Sequence, residues 1–271
     1  MTLHLIYPVV APLGAAILCL ALHRSLHWQR LVSLCASASV VAYLAGWLWP
    51  RLLGDGVVTL CLGNWPAPYG IVLAADLLSG LMVTLTALVG LSVLVYGIGW
   101  LAGTPEEAYF YPLYHVLLMG VSGAFLTGDI FNLYVFFEVL LIASFGLMAL
   151  GGKPPQIVGT LRYVAISQVS SALFLVGAGL LYGMAGTLNM ADLARKLSQP
   201  NAVPYANVAA PLFLAAFGIK AAVFPLFFWL PASYHTAKTP VTAIIGGLLT
   251  KVGIYALLRC YALLFPLQWQ A

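Results

Sequence analysis

The chain has 271 residues, 63% of them hydrophobic and only 7% charged, with a mean hydropathy of +1.02. A water-soluble domain covers its surface with roughly a quarter charged residues, so lipid must solvate much of this one. The 11 basic and 7 acidic residues are spread without a basic run, which excludes the clustered positive surface of a nucleic-acid-binding protein.

A spanning helix takes about 20 apolar residues, and the apolar runs and their breaks predict eight. The first covers residues 3–22. No basic region precedes it, and it is long for a signal-peptide core, so it reads as a retained first helix. The second covers 31–49, after a short connection at 23–30. The connection at residues 51–75 is longer. There 57–62 is β-prone and NWPAPYG at 64–70 is a Pro/Gly turn, which predicts a small extramembrane hairpin. Helices at 77–100, 111–127, 130–150, 158–185, 208–230 and 240–265 follow. Asp76 and Asp129 precede two of them and suit the positive helix end as caps. The predicted fold is therefore an all-α integral membrane protein with about eight transmembrane helices. Residues 1–110 form a three-helix segment and 111–271 a five-helix repeat. The basic residues of the shortest loops, Arg24, Arg30, Lys153 and Arg162, favour an N-terminus on the outer side. Cys19, Cys35, Cys61 and Cys260 have neither metal nor redox spacing and read as small hydrophobes.

Three charges fall inside these helices. Glu138 lies in the middle of NLYVFFEVLLIASFGL, and its helical neighbours offer no countercharge. A charge at the bilayer centre costs about 2.5–3.5 kcal/mol on insertion scales, so it must face protein or water. Lys220 lies in FLAAFGIKAAVFPLFFWLP, where Pro225 has no N–H for the Ala221 carbonyl; the helix should open just past the lysine. Opened backbone at membrane depth lines cavities in transporters. Lys251 lies in TPVTAIIGGLLTKVGIYALLR, with Gly246, Gly247 and Gly253 allowing close helix approach. The plainer alternative for all three is an inert buried ion pair or packing contact.

Secondary relay candidates surround them. Ser167, Gln168 and Ser171 are predicted to share one face of the sixth helix, where they hold waters between charges or simply bond neighbouring helices. His115 lies in the fourth helix, with an imidazole suited to proton transfer or to an ordinary polar contact. His235 and Lys238, between the seventh and eighth helices, mark one mouth of a path or are solvated loop charges. A buried lysine next to a carboxylate can hold or release a proton as the neighbouring charge changes. A set with net positive charge is a poor cage for Na+, so the proton is the carried ion. No haem, iron–sulfur or nucleotide motif is present, so neither a cofactor nor a metal site is expected.

Together FLTGDIFNLYVFFEVLLIASFGLMALGG, GTLNMADL and KAAVFPLFFWLPASYHTAKTPVTAIIGGLLTKVGIYALLR resemble the D-type subunit of Mrp-type multisubunit Na+/H+ antiporters. That protein is homologous to the proton-pumping antiporter-like subunits of respiratory complex I, and the resemblance covers nearly the whole chain, PYGIVLAADLLSG included. It implies that Glu138 is the fifth-helix glutamate that pairs with the seventh-helix Lys220. It also implies that Lys251 passes protons along the middle plane of the membrane. Thr236 and Lys238 stand where complex I-type relatives have an acidic residue and a proline, so no acidic gate is expected there. The family carries a second, inverted five-helix repeat, which implies a fragment, a truncated gene product or a partner that supplies the rest. The implied protein is a multi-pass subunit of the bacterial inner membrane. It would sit among other antiporter subunits and lipid and act on protons and Na+. A redox-driven pump subunit of a quinone oxidoreductase or membrane-bound hydrogenase is the second reading, and a structural membrane scaffold the third.

Overall fold

The computed structural model describes residues 3–198 and 203–265. A 3-10 turn at Leu3–Ile6 leads into α1 (Tyr7–Ala21). α2 (Leu26–Tyr43), a π turn (Leu44–Leu48) and α3 (Trp49–Asp55) run on as one span, Leu26–Asp55. The second helix is thus longer at both ends than the apolar run from which it was predicted. Its first turn carries Gln29, a polar residue absent from an apolar pattern but fully buried. The Gln29 amide donates to the carbonyls of Cys19 (2.7 Å) and Ala108 (3.1 Å). Pro112, four residues after Ala108, has no N–H to give that carbonyl, so the glutamine side chain takes the place of a backbone donor.

The predicted hairpin forms from β1 (Val58–Cys61) and β2 (Val72–Ala75), antiparallel with Val58 opposite Ala75. α4 (Leu77–Leu101) starts at Asp76, whose carboxylate accepts from the Ser79 amide at 2.9 Å. α5 (Glu107–Leu126) is the central helix of the bundle, packed on α1, α4 and α6. α6 (Ile130–Met148) is capped by Asp129, which accepts from the Asn132 amide at 2.8 Å. Both aspartates are therefore caps, as the sequence suggested. α7 (Pro154–Ala185) begins four residues earlier than predicted, because proline suits the first helical turn. A short helix not predicted as a separate element, α8 (Met190–Leu197), is capped by the Asn189 side chain.

The seventh predicted helix is split into α9 (Val203–Ala221) and α10 (Trp229–Tyr234), and α11 (Thr239–Leu263) closes the bundle. Among the described residues seven segments are long and apolar enough to cross a membrane; a shorter apolar helix, Asn207–Ala221, belongs to the split element. With it the count of eight holds. α7 packs along α9, and α9 along α11. Gly253 makes the last contact possible: a Cβ there would stand 2.6 Å from the Ala221 backbone nitrogen. Gly247 faces only Val89, and Gly246 faces open space, so the predicted close approach is the work of Gly253.

Ion pairs latch the bundle at both faces. On the hairpin side, Arg259 of α11 makes a two-pronged bond to Asp76. The half-buried position of Asp76 raises its pKa, but the Arg259 guanidinium and the Ser79 amide outweigh this and hold the carboxyl at about 2. On the opposite side, Arg30 pairs with fully buried Glu107 at 2.7 and 2.9 Å, and Tyr111 Oη donates to the same carboxylate at 2.8 Å. Lys238 pairs with Glu106 at 3.0 Å and holds that carboxyl below its usual range.

Candidate functional site

The break after Ala221 creates the site. Ala222 adopts φ 54, a left-handed conformation that costs a non-glycine residue about 1–2 kcal/mol. The chain then turns through Pro225 before α10 begins, as the proline predicted. Helix ends leave carbonyls without helical donors, and the Trp229 indole donates to that of Ile219 at 3.0 Å. The last turn of α9 thereby holds Lys220 inside the protein at 7% exposure.

Lys220 Nζ donates to Ser171 Oγ on α7 at 3.1 Å, and Ser171 Oγ donates to Glu138 Oε1 on α6 at 2.5 Å. Three helices thus bring ammonium, hydroxyl and carboxylate into one chain, with the serine between the charges. Among the described residues no direct Glu138–Lys220 ion pair forms. Phe137 lies under the ammonium, 5.0 Å from ring centroid to Nζ, and supplies its negative π face. Glu138 itself is half-buried.

Beside Lys220 lies a narrow cavity lined by Phe137, Tyr163, Ser167, Lys220 and Trp229, with about 10 Å³ for the centre of a water-sized sphere. That is at the threshold for holding one water. Beyond it, Ser144 Oγ reaches Tyr163 Oη at 3.4 Å, and the Tyr163 ring packs edge-on to Tyr234 at 6.0 Å. Ser233 Oγ is buried with no hydrogen-bond partner among the described residues, and the buried Tyr234 hydroxyl interacts with that of Tyr163. These hydroxyls extend from Lys220 toward the face that carries Lys238 and Glu106.

The remaining predicted residues divide. Ser167 lines the cavity and Ser171 bridges the charges, but Gln168 is exposed, which corrects its placement on their face. Successive helical residues diverge by about 100°, and the buried face continues instead at Ser170, whose hydroxyl donates to the Ala216 carbonyl at 2.7 Å. Lys251 is exposed near mid-span, and its Nζ donates to the Gly246 carbonyl at 2.7 Å. His115 is buried in a different cavity, lined by none of the residues around Lys220. His235 is exposed, with its Nδ1 2.6 Å from the Pro231 carbonyl, whereas Lys238 is paired with Glu106 and is not a free loop charge.

The family described as NADH:quinone oxidoreductase/Mrp antiporter, TM, matches residues 127–271. The chain is 46% identical over 260 residues to the D-type subunit of the Na(+)/H(+) antiporter of Bacillus subtilis (strain 168), covering 96% of this chain and 52% of that protein. It is 40% identical over 263 residues to the N-type subunit of the NADH-quinone oxidoreductase of Desulforudis audaxviator, with the same coverage of each. A chain of the Mrp complex from Dietzia sp. DQ12-45-1b superposes with a TM-score of 0.87 at 33% identity, over 97% of this chain and 49% of that one. The chain belongs to the NADH:quinone oxidoreductase/Mrp antiporter membrane family. It spans about half the length of the curated relatives it matches. As a member it is a multi-pass protein of the bacterial cell membrane. The matched region contains Glu138, Ser171, Lys220 and Lys251, whereas His115 precedes it.

Sequence reasoning left out Tyr163, Tyr234, Glu107 and Ser170. The tyrosines look like interfacial or core aromatics in an apolar run. Glu107 looks like a loop charge, since it sits one residue from Glu106. Only Ser170 had a usable signal, its spacing of three residues from Ser167.

Proposed function

We propose that the chain is a proton-translocating subunit of a multisubunit Na+/H+ antiporter, with Glu138, Ser171 and Lys220 as the switching centre and Lys251 as the onward relay. The observation that carries this is Ser171 Oγ, bonded at once to the Glu138 carboxylate and the Lys220 ammonium beside a broken helix. A buried ammonium is stable only while a negative charge compensates it. With Glu138 ionised, Lys220 holds its proton; when a proton neutralises Glu138, the compensation goes and Lys220 releases its own. The hydroxyl can pass that influence by rotating, with no movement of the backbone. Tyr163, Ser167 and Tyr234 supply the hydroxyls by which protons reach Lys220 from the Lys238–Glu106 face.

Lys251 is exposed at a depth of twelve residues into α11, about 18 Å. A charge there does not face hydrocarbon. Its exposed side faces protein, a further membrane segment or another subunit with an acceptor to take the proton on. The likeness to a subunit of an NADH-quinone oxidoreductase supports a second reading, the same relay driven by redox chemistry in partner subunits.

The test is Na+/H+ exchange in everted vesicles from cells carrying Glu138→Gln, Lys220→Ala or Lys251→Ala, with assembly checked on native gels. Loss of exchange in assembled complexes is expected for all three. Wild-type exchange per assembled complex in Glu138→Gln and Lys220→Ala would make the charges structural struts. The subunits that copurify with the chain separate the antiporter from the redox-driven pump.

A further inference from the structure

Between α1, α2, α4 and α5 lies a cavity that the relay does not use. Pro12, Ser37, Thr86, His115 and Ser122 are among its lining residues, and no charged side chain is. His115 is 1% exposed, and among the described residues neither of its ring nitrogens has a hydrogen-bond partner; Ser37 is 6% exposed, and its hydroxyl also has none there. Thr86 Oγ1 gives its hydrogen to the Met82 carbonyl at 2.8 Å and keeps its lone pairs for the cavity. Buried polar side chains almost always find partners, and an orphaned one calls for an explanation. Here two orphans on different helices open into the same void.

The volume open to the centre of a water-sized sphere is about 20 Å³, enough for one water and too little for a larger ligand. Cavities that stay dry are lined by apolar groups alone; this one is mostly apolar but also exposes Ser37, Thr86, His115 and Ser122. A cation or anion would sit there with no opposite charge to compensate it. We propose that His115 and Ser37 hold one buried water molecule between them, so that His115 is a ligand for that water and lies outside the proton path. A neutral imidazole offers one donor and one acceptor, and a hydroxyl offers both. The water can donate to the imidazole acceptor and to Thr86 Oγ1 while it accepts from Ser37. It then ties α2, α4 and α5 together.

The test uses the full chain in the membrane complex in which it assembles. Solid-state NMR of protein labelled with 15N-histidine should show polarisation transfer from immobilised water to the His115 ring, and Ser37→Ala should weaken it. Absence of transfer in the wild type would overturn the proposal without recourse to any variant. In thermal denaturation, His115→Leu and Ser37→Ala should each lower the midpoint. The double variant should lower it by less than the sum, because the shared water is lost only once. His115→Gln, which keeps a donor and an acceptor, should recover most of the loss. Additive single effects, or a rise in midpoint for His115→Leu, would mean a dry cavity. Loss of exchange in a His115→Gln complex with an unchanged midpoint would make His115 a proton carrier and equally overturn the assignment.

Discussion

Ser171→Ala is the sharpest perturbation of the site, because it removes one oxygen and no charge. The hydroxyl makes two charge-assisted bonds, at 2.5 Å to Glu138 and 3.1 Å from Lys220. Hydrogen bonds to charged groups are worth about 1.5–3 kcal/mol each. Glu138 is half-buried and water can replace its lost donor, but Lys220, at 7% exposure, is not so easily rescued. About one such bond is therefore lost net, which corresponds to a slowing of proton transfer of about ten- to a hundred-fold. Ser171→Thr keeps the oxygen and should retain most of the rate. The assay is Na+/H+ exchange in everted vesicles, normalised to assembled complex. Combined with Glu138→Gln, the alanine should add little, since both act on the same link. Wild-type exchange in Ser171→Ala, or equal losses in the alanine and threonine variants, would refute a role for the hydroxyl.

Three further outcomes follow from the packing. Gly253→Ala places a Cβ 2.6 Å from the Ala221 nitrogen, so α11 must shift from the broken helix at a cost of about 1–3 kcal/mol. The thermal midpoint and exchange should fall together, and an unchanged midpoint would show that the contact is not tight. Asp76 has its carboxyl lowered from 3.8 to about 2. It should therefore add up to about 2 kcal/mol of stability that is complete above about pH 4 and disappears as pH falls through about 2. Acid unfolding of Asp76→Asn should lack that component, and identical acid profiles would count against the Arg259 latch. Gln29→Leu leaves the Ala108 carbonyl without its donor and should destabilise the chain by about 1–3 kcal/mol. Pro112→Ala in that background restores a backbone N–H and should recover part of the loss in thermal denaturation, whereas no recovery would disprove the compensation.

Much of this architecture is written in local chemistry. A run of about 20 apolar residues has no stable option in lipid but a helix, since each backbone polar group must be satisfied within the segment. The spans, the Asp76 and Asp129 caps, the hairpin and the break before Pro225 were therefore legible one segment at a time. The cost of Glu138, Lys220 and Lys251 in lipid was legible in the same way. Local chemistry could not say which groups meet. Ser171 stands 33 residues from Glu138 and 49 from Lys220, and nothing in an apolar run tells the bridging serine from its neighbours. The exposure of Gln168, the orphaned His115 and the outward position of Lys251 were likewise settled by which faces α5, α7 and α11 turn to their neighbours. Burial and hydrogen-bond partnership belong to pairs of helices, so only the assembled bundle could decide them.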